Sequence, residues 1–167
     1  MKPLISDEVN DGLNKIVQKL FEGNRIMDRA MSVLNIKFVM NKTVEQLHPK
    51  LAHLYPKLAD VISDYQGARN MLTIYGLTPE DKTDYISPLD FFERLLDYMH
   101  DLESIVIEVS DVARENGDIT TKIFLENFLI TLIPVTNQSL LLVDKGELYE
   151  KDWMAFDHRI EDFIVLE

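Results

Sequence analysis

The sequence predicts an all-α protein: an antiparallel four-helix bundle with a long crossover between the second and third helices and a short C-terminal fifth helix. Three observations predict it. Apolar residues recur with a period near 3.6 over long stretches. Glycine and proline are few, six of each in 167 residues, which favours long regular elements over many short strands. The polar interruptions after the first and third helices are short, whereas the one around Leu77–Ile86 is longer and carries Pro79. Long helices joined by short connections pack antiparallel, and the longer connection is free to cross the length of a bundle.

Ser6 is placed to cap the first helix, with Asp7 and Glu8 in the turn where the helix dipole favours acids. The apolar positions Leu13, Ile16, Val17, Leu20, Ile26, Met27, Ala30, Met31, Leu34 and Phe38 follow. Gly23 interrupts them, as a kink or as a break between two helices. Met40–Gln46 reads as the turn into the second helix, capped at Thr43 or just beyond. That helix is expected to run through Leu47, Leu51, Leu54, Leu58, Val61, Ile62, Ala68 and Leu72 and to stop at Gly76. Pro49 suits a first turn, where its missing N–H costs nothing. Pro56, inside a running helix, is expected to bend it.

Ser87-Pro88-Leu89-Asp90 combines an N-cap serine, a proline at the first helical position and an early acid, and starts the third helix. Its stripe is Phe92, Leu95, Leu96, Met99, Leu102, Val106, Val109 and Ala113, with Glu93, Asp97, His100, Glu108 and Asp111 opposite. The helix ends at Asn116-Gly117. Asp118 caps the fourth, which carries Phe124, Phe128, Leu132, Val135 and Leu140 to about Val143 and stops at Gly146. Pro134 lies mid-helix, as a kink in a packed core. Trp153, Phe156, Ile160, Phe163 and Ile164 form the short fifth helix. No repeat or linker divides residues 1–167, so a single domain is expected.

Composition excludes several function classes. With no cysteine there are no disulfides, thiolate nucleophiles or cysteine-bound zinc or iron–sulfur centres. That is compatible with a reducing cytoplasm, the expected location. The opening MKPLISDEVND turns acidic where a secretory signal needs an apolar stretch. No run approaches the ~18 apolar residues of a membrane span, so no membrane partner is expected. The net charge of −12 is that of a soluble acidic surface and disfavours nucleic acid. Met1–Asp11 carries only Lys2 against Asp7, Glu8 and Asp11. No Ser–His–Asp order, glycine-rich phosphate loop or His-x-x-x-His pair is present.

Two stretches carry a family resemblance. Pro88-Leu89-Asp90-x-Phe92-Glu93, Glu108-x-x-Asp111-x-Ala113-x-Glu115-x-x-Asp118 and Thr121-x-x-Phe124-Leu125-x-x-Phe128 resemble the third and fourth helices of ferritins and mini-ferritins. Leu47-His48-x-Lys50-x-x-x-Leu54-Tyr55-x-x-Leu58 resembles the start of the second helix in the Dps mini-ferritins. The resemblance, to the ferritin-like superfamily, implies a ferritin-like bundle, an iron-oxidation site and a homo-oligomeric hollow shell. Carried over residue by residue, most of that site is missing. The first-helix glutamate has Asp28 as its nearest counterpart, and no Glu-x-x-His lies in Val61–Tyr75. The third-helix glutamate falls on Met99, and the fourth-helix glutamine and glutamate fall on Leu132 and Val135. Of the mini-ferritin set, one histidine falls near Ile36, His48 matches the second, and the acids fall on Ser63 and Gly67.

The metal candidates are therefore His48, Asp28, Asp64 and Glu103. His48, whose partner ligands are missing, reads first as a helix-start histidine meeting solvent or capping backbone. His53, five residues on, is not expected to share its face. Asp60 and Asp64 are i, i+4 acids that bind a cation weakly or lie in water. Glu103 projects onto the edge of the apolar stripe. Asp97-x-x-His100, with Glu93 and Asp101, has spacing suited to a divalent metal, but it lies opposite the core stripe and reads first as a solvated face. Trp153 and Phe156 close one end of the bundle or meet another subunit.

The functional expectation is a ferritin/Dps-like oligomer with a degenerate oxidation centre and, at most, residual iron binding. The alternative is a non-enzymatic structural or interaction protein that has lost iron chemistry. A third reading is an oxidase built on Asp28, Asp64 and Glu103.

Overall fold

The structure, a computed structural model, describes residues 2–167. Helix α1 (Asp7–Ile36) is followed by α2 (Asn41–Leu47), which passes through a π-turn at His48–Ala52 into α3 (Leu54–Ala68). Residues 69–87 cross to α4 (Pro88–Glu115), and α5 (Ile119–Leu148), α6 (Trp153–His158) and a 3₁₀ turn (Ile160–Phe163) complete the chain. The described residues contain no strand. The fold is the expected four-helix bundle, with α2–α3 acting as one interrupted rod.

The expected start signals hold. The Ser6 hydroxyl accepts from the Val9 N–H, and Asp118 accepts from the Thr121 N–H and hydroxyl. The Asp90 carboxylate reaches back to the N–H groups of Ile86 and Ser87. Each of these satisfies donors that a helix start leaves unpaired.

The crossover owes its course to α1. Asn10, Asn14 and Gln18 stand four residues apart on one face of that helix. They bond in turn to the Leu72 carbonyl, the Ile74 N–H and the Leu77 carbonyl. Further along, Arg29 donates to the Thr83 carbonyl and Lys37 to the Tyr85 carbonyl. The extended chain thus runs the length of α1, and α4 starts at the end of the bundle opposite to the one where α3 stops. Arg94 pairs with Asp81 at 2.9 Å and donates to the Tyr85 hydroxyl at 2.7 Å, which fixes the last part of the crossover to α4.

Several expected boundaries are corrected. Gly23 neither kinks nor divides α1, which runs unbroken for 30 residues. It is buried, and a Cβ there would lie 2.3 Å from the Tyr98 hydroxyl. Helix α2 begins at Asn41, two residues before Thr43; the Thr43 N–H and hydroxyl both donate to Asp157 of α6, so the cap comes from a distant helix. Pro49 consequently sits inside the π-turn rather than in a first turn.

The second rod ends at Ala68, well before Gly76. Asn70 adopts φ +60°, and the N–H groups of Asn70 and Met71 return to the carbonyls of Gly67 and Gln66, which closes the helix end. Leu72, expected in the core, is 86% exposed on the crossover. Gly146 does not stop α5. It is buried inside that helix, where a Cβ would meet Leu89 and Phe92 at 3.1 Å. Pro134 is exposed, and α5 runs through it. Helix α5 is also long and apolar enough to cross a membrane by length and composition, contrary to the reading that no stretch of the sequence is. Here it is one of the four bundle helices, packed along α4.

Candidate functional site

The middle of the bundle is built from α1, α3, α4 and α5. Leu20 and Met27 enter from α1, Tyr55 and Ile62 from α3, Met99 and Leu102 from α4, and Leu132 from α5; none has measurable exposure. Two tyrosines lie at its centre, in an edge-to-face pair with ring centroids 5.4 Å apart. The Tyr55 hydroxyl donates to the Met99 sulfur at 3.4 Å. The Tyr98 hydroxyl donates to the Lys19 carbonyl at 2.6 Å, passing over Gly23. Burial pushes both phenols above the ordinary tyrosine range, so both are neutral donors.

Among the described residues, the polar residues buried as a whole carry amides and hydroxyls; the one carboxylate side chain shown to be buried beside an ion-pair partner is that of Asp81, which lies on the crossover against Arg94 and not in the bundle interior. Gln66 donates to the side-chain carbonyls of Asn10 and Asn14 and accepts from the Thr73 hydroxyl. Gln138 donates to the Phe163 carbonyl and accepts from the N–H groups of Val165 and Leu166, so it fastens the C-terminal segment.

Met99, Leu132 and Val135, the residues that the resemblance sets at the family's ligand positions, are all buried hydrophobic residues. Glu103 is half-buried, one helical turn beyond Met99, and its carboxylate accepts from the Thr136 hydroxyl at 2.5 Å. Asp64 and Asp60 lie toward the outer side of α3, away from the buried Tyr55 and Ile62. Glu93, Asp97, His100 and Asp101 form the outer face of α4. Among the described residues, no three or more histidine, aspartate or glutamate side chains converge in the geometry of a metal site. Asp28, Asp64 and Glu103 therefore do not form one.

Asp28 and His48 do meet, at the surface: Asp28 Oδ1 of α1 lies 3.6 Å from His48 Nε2. His53 joins them, against the expectation that it would face elsewhere. Its ring centroid is 4.5 Å from that of His48. The π-turn is the reason. The His53 N–H bonds to the His48 carbonyl five residues back, so the two side chains return to one side of the rod. In a regular helix, residues five apart lie about 140° from each other around the axis. Pro56 lacks the N–H that would serve the Ala52 carbonyl, and Asn24 of α1 donates to that oxygen at 2.9 Å instead.

Sequence reasoning missed Tyr98, although its place between Leu95 and Leu102, three residues from one and four from the other, is core spacing on a helix. It also missed Asn24 and the approach of His53, for which no local signal exists.

The sequence matches no protein-family model, and it matches no curated protein. Solved structures do match it. An open-pore ferritin from the hyperthermophilic archaeon Archaeoglobus fulgidus superposes with a TM-score of 0.88 at 16% identity, over 98% of each chain. A humanized archaeal ferritin gives 0.87 at 16% identity, over 98% of this chain and 99% of that one. A form of the A. fulgidus ferritin engineered to be closed gives 0.85 at 16% identity over 98% of both. At this identity the likeness is one of fold: this chain folds as these ferritins do, into a ferritin-like four-helix bundle.

Proposed function

We propose that this chain is a ferritin-like protein that assembles with copies of itself and whose oxidation centre is degenerate. The observation that carries the reading is the Tyr55–Met99 contact in the middle of the bundle. A di-iron centre in such a bundle needs several inward carboxylates and imidazoles. Here a neutral phenol, a thioether and hydrocarbon fill that region. Thioethers and protonated phenols are poor partners for a hard iron cation, so this donor set does not fit a di-iron site. Iron, on this reading, is at most a cargo held by surface carboxylates on a chain of net charge −12.

Self-assembly is supported by apolar side chains left on the outside. Leu72, Ile74, Tyr75 and Leu77 are exposed along the crossover, and Ile119, Ile123, Ile130 and Ile133 along α5. Exposed apolar rows of this kind are rimmed and covered in assembled proteins. The same α5 face is read here as a subunit contact rather than as a membrane-facing one. A cysteine-free acidic chain fits a cytoplasmic setting without nucleic acid as a partner.

Two measurements test the reading. Ferrous ion mixed with the protein under air should oxidise no faster than in protein-free buffer; a protein-dependent rise in ferric absorbance would overturn the degenerate centre. Light scattering should show a discrete shell-sized particle. A monomer or dimer would instead favour a non-enzymatic interaction protein, which the exposed crossover side chains would also serve.

A further inference from the structure

We propose that Asn116 is a site of spontaneous modification: its amide is lost by attack of the Gly117 nitrogen, and the acid so formed faces Glu8 and loosens the start of α1. The proposal stands whether or not the bundle interior is degenerate.

The sequence supplies the reactive pair. Asn116 is the one asparagine in the chain that precedes a glycine. A side chain on the following residue shields the attacking nitrogen and stiffens the backbone, and glycine has none. Both residues are exposed. Apart from its chain neighbours, no atom lies within 4 Å of the place that a Cβ on Gly117 would take.

The reaction needs only water. The Gly117 nitrogen bonds to Asn116 Cγ and closes a five-membered imide. The Cγ–Nδ2 bond breaks, and the proton of the attacking nitrogen leaves with the amide as ammonia. Water then opens the ring at one of its two carbonyls. The product is aspartate, or isoaspartate, in which the main chain runs through the side-chain carbon. Overall, one water is consumed and one ammonia is released.

The fold holds the pair back. At a ψ of 1° the Gly117 nitrogen is turned away from Cγ, so ring closure requires rotation about the Asn116 Cα–C bond. That rotation breaks the helix end, where the N–H groups of Gly117 and Asp118 return to the carbonyls of Arg114 and Ala113 at 3.0 and 2.8 Å. The side chain is tied as well. Asn116 Nδ2 donates to Glu8 Oε2 at 3.0 Å and to the Val112 carbonyl at 2.9 Å, and Oδ1 accepts from the Ser6 hydroxyl at 3.3 Å. Deamidation therefore proceeds from a locally opened helix end, and the contacts with α1 set how often that end opens.

The same contacts give the product a structural effect. An ionised aspartate is an acceptor only, so Glu8 and the Val112 carbonyl lose their donor. Two carboxylates then stand where an amide met an acid. Isoaspartate also lengthens the main chain by one carbon inside the turn that joins α4 to α5.

The test incubates the full chain at mildly alkaline pH, which favours the deprotonated nitrogen. The tryptic peptide of residues 115–122, cut after Arg114 and Lys122, is followed by mass spectrometry for the amide-to-acid change. Isoaspartate in it is labelled with isoaspartyl methyltransferase. Conversion is expected in this peptide before any other asparagine reacts. Glu8→Ala should react roughly threefold to tenfold faster, the effect of one lost charge-assisted hydrogen bond on the population of the open end. Asn116→Asp, which copies one product, should melt below the parent, and combining it with Glu8→Gln should recover most of the difference. No conversion in the native chain while the isolated peptide reacts would overturn the site. Equal rates in Glu8→Ala and the parent, or an Asn116→Asp chain that melts with the parent, would overturn its coupling to α1.

Discussion

The Tyr55 hydroxyl donates to the Met99 sulfur at 3.4 Å, across the space between α3 and α4. A thioether is a weak acceptor, so little of the stability of this contact comes from the bond; most comes from packing two buried side chains against each other. Tyr55→Phe keeps the packing and is expected to change unfolding stability by less than about 1 kcal/mol. Met99→Glu places an acid with no cationic partner in the same space. It should cost about 3 kcal/mol or more at neutral pH, the usual penalty for a buried unpaired charge. Urea denaturation of the two variants would check both, and a well-tolerated Met99→Glu would mean that the interior accepts a carboxylate after all.

The approach of Tyr98 to Gly23 gives a second test. Its hydroxyl bonds to the Lys19 carbonyl at 2.6 Å and occupies the position that a Cβ on residue 23 would need. Gly23→Ala should destabilise by about 1–3 kcal/mol, as overpacking of a close-packed core does, despite the better helix propensity of alanine. Combining it with Tyr98→Phe, which removes the clashing oxygen, should recover part of the loss. A Gly23→Ala variant as stable as the parent would show that α1 and α4 separate easily here.

Much of the fold was legible because its signals are local. Ser6 and Asp118 act as the caps that their positions promise, and the α4 stripe is buried as its spacing requires. The failures were set across the bundle. Gly23 and Gly146 carry the composition of a break, yet each is a clearance for an aromatic side chain on another helix. The rod that ends at Ala68 continues by periodicity through Leu72. It stops because Asn70 turns left-handed and the Asn10–Asn14–Gln18 row holds the backbone beyond it. For the candidate site, the burial of Met99, Leu132 and Val135 was readable from their helical spacing. The His48–His53 approach was not, because it depends on a shift of helical register.

Tyrosine ionisation should be coupled to unfolding. Burial raises the folded-state pKa of Tyr55 and Tyr98, whereas in the unfolded chain both return to about 10. A raised folded pKa means that the folded state holds its proton more tightly. The associated stability is complete below about pH 10 and is lost progressively as pH rises above it. Alkaline titration followed by tyrosinate absorbance should therefore show a late step that coincides with loss of helix by circular dichroism. The Tyr55→Phe and Tyr98→Phe variants should each shrink that step. Smooth ionisation of all six tyrosines while the helices persist would contradict the burial of the pair.

The register shift can be tested through Asn24 and Pro56, which act on the same carbonyl oxygen from opposite sides. Pro56 leaves the Ala52 oxygen without its helical donor, and Asn24 supplies one at 2.9 Å. Asn24→Ala alone should cost about 1–2 kcal/mol, because the buried Ala52 acceptor loses its partner. Pro56→Ala offers a backbone N–H to that same oxygen, so the asparagine becomes partly redundant. The loss from Asn24→Ala should then fall in the Pro56→Ala background, with a coupling energy on the order of 1 kcal/mol. If the two effects simply add, the Ala52 oxygen is satisfied some other way and the proline does not set the π-turn. A Pro56→Ala chain that reverts to regular helix would also turn His53 away from His48, so the loss of their ring contact reports whether the proline sets the register.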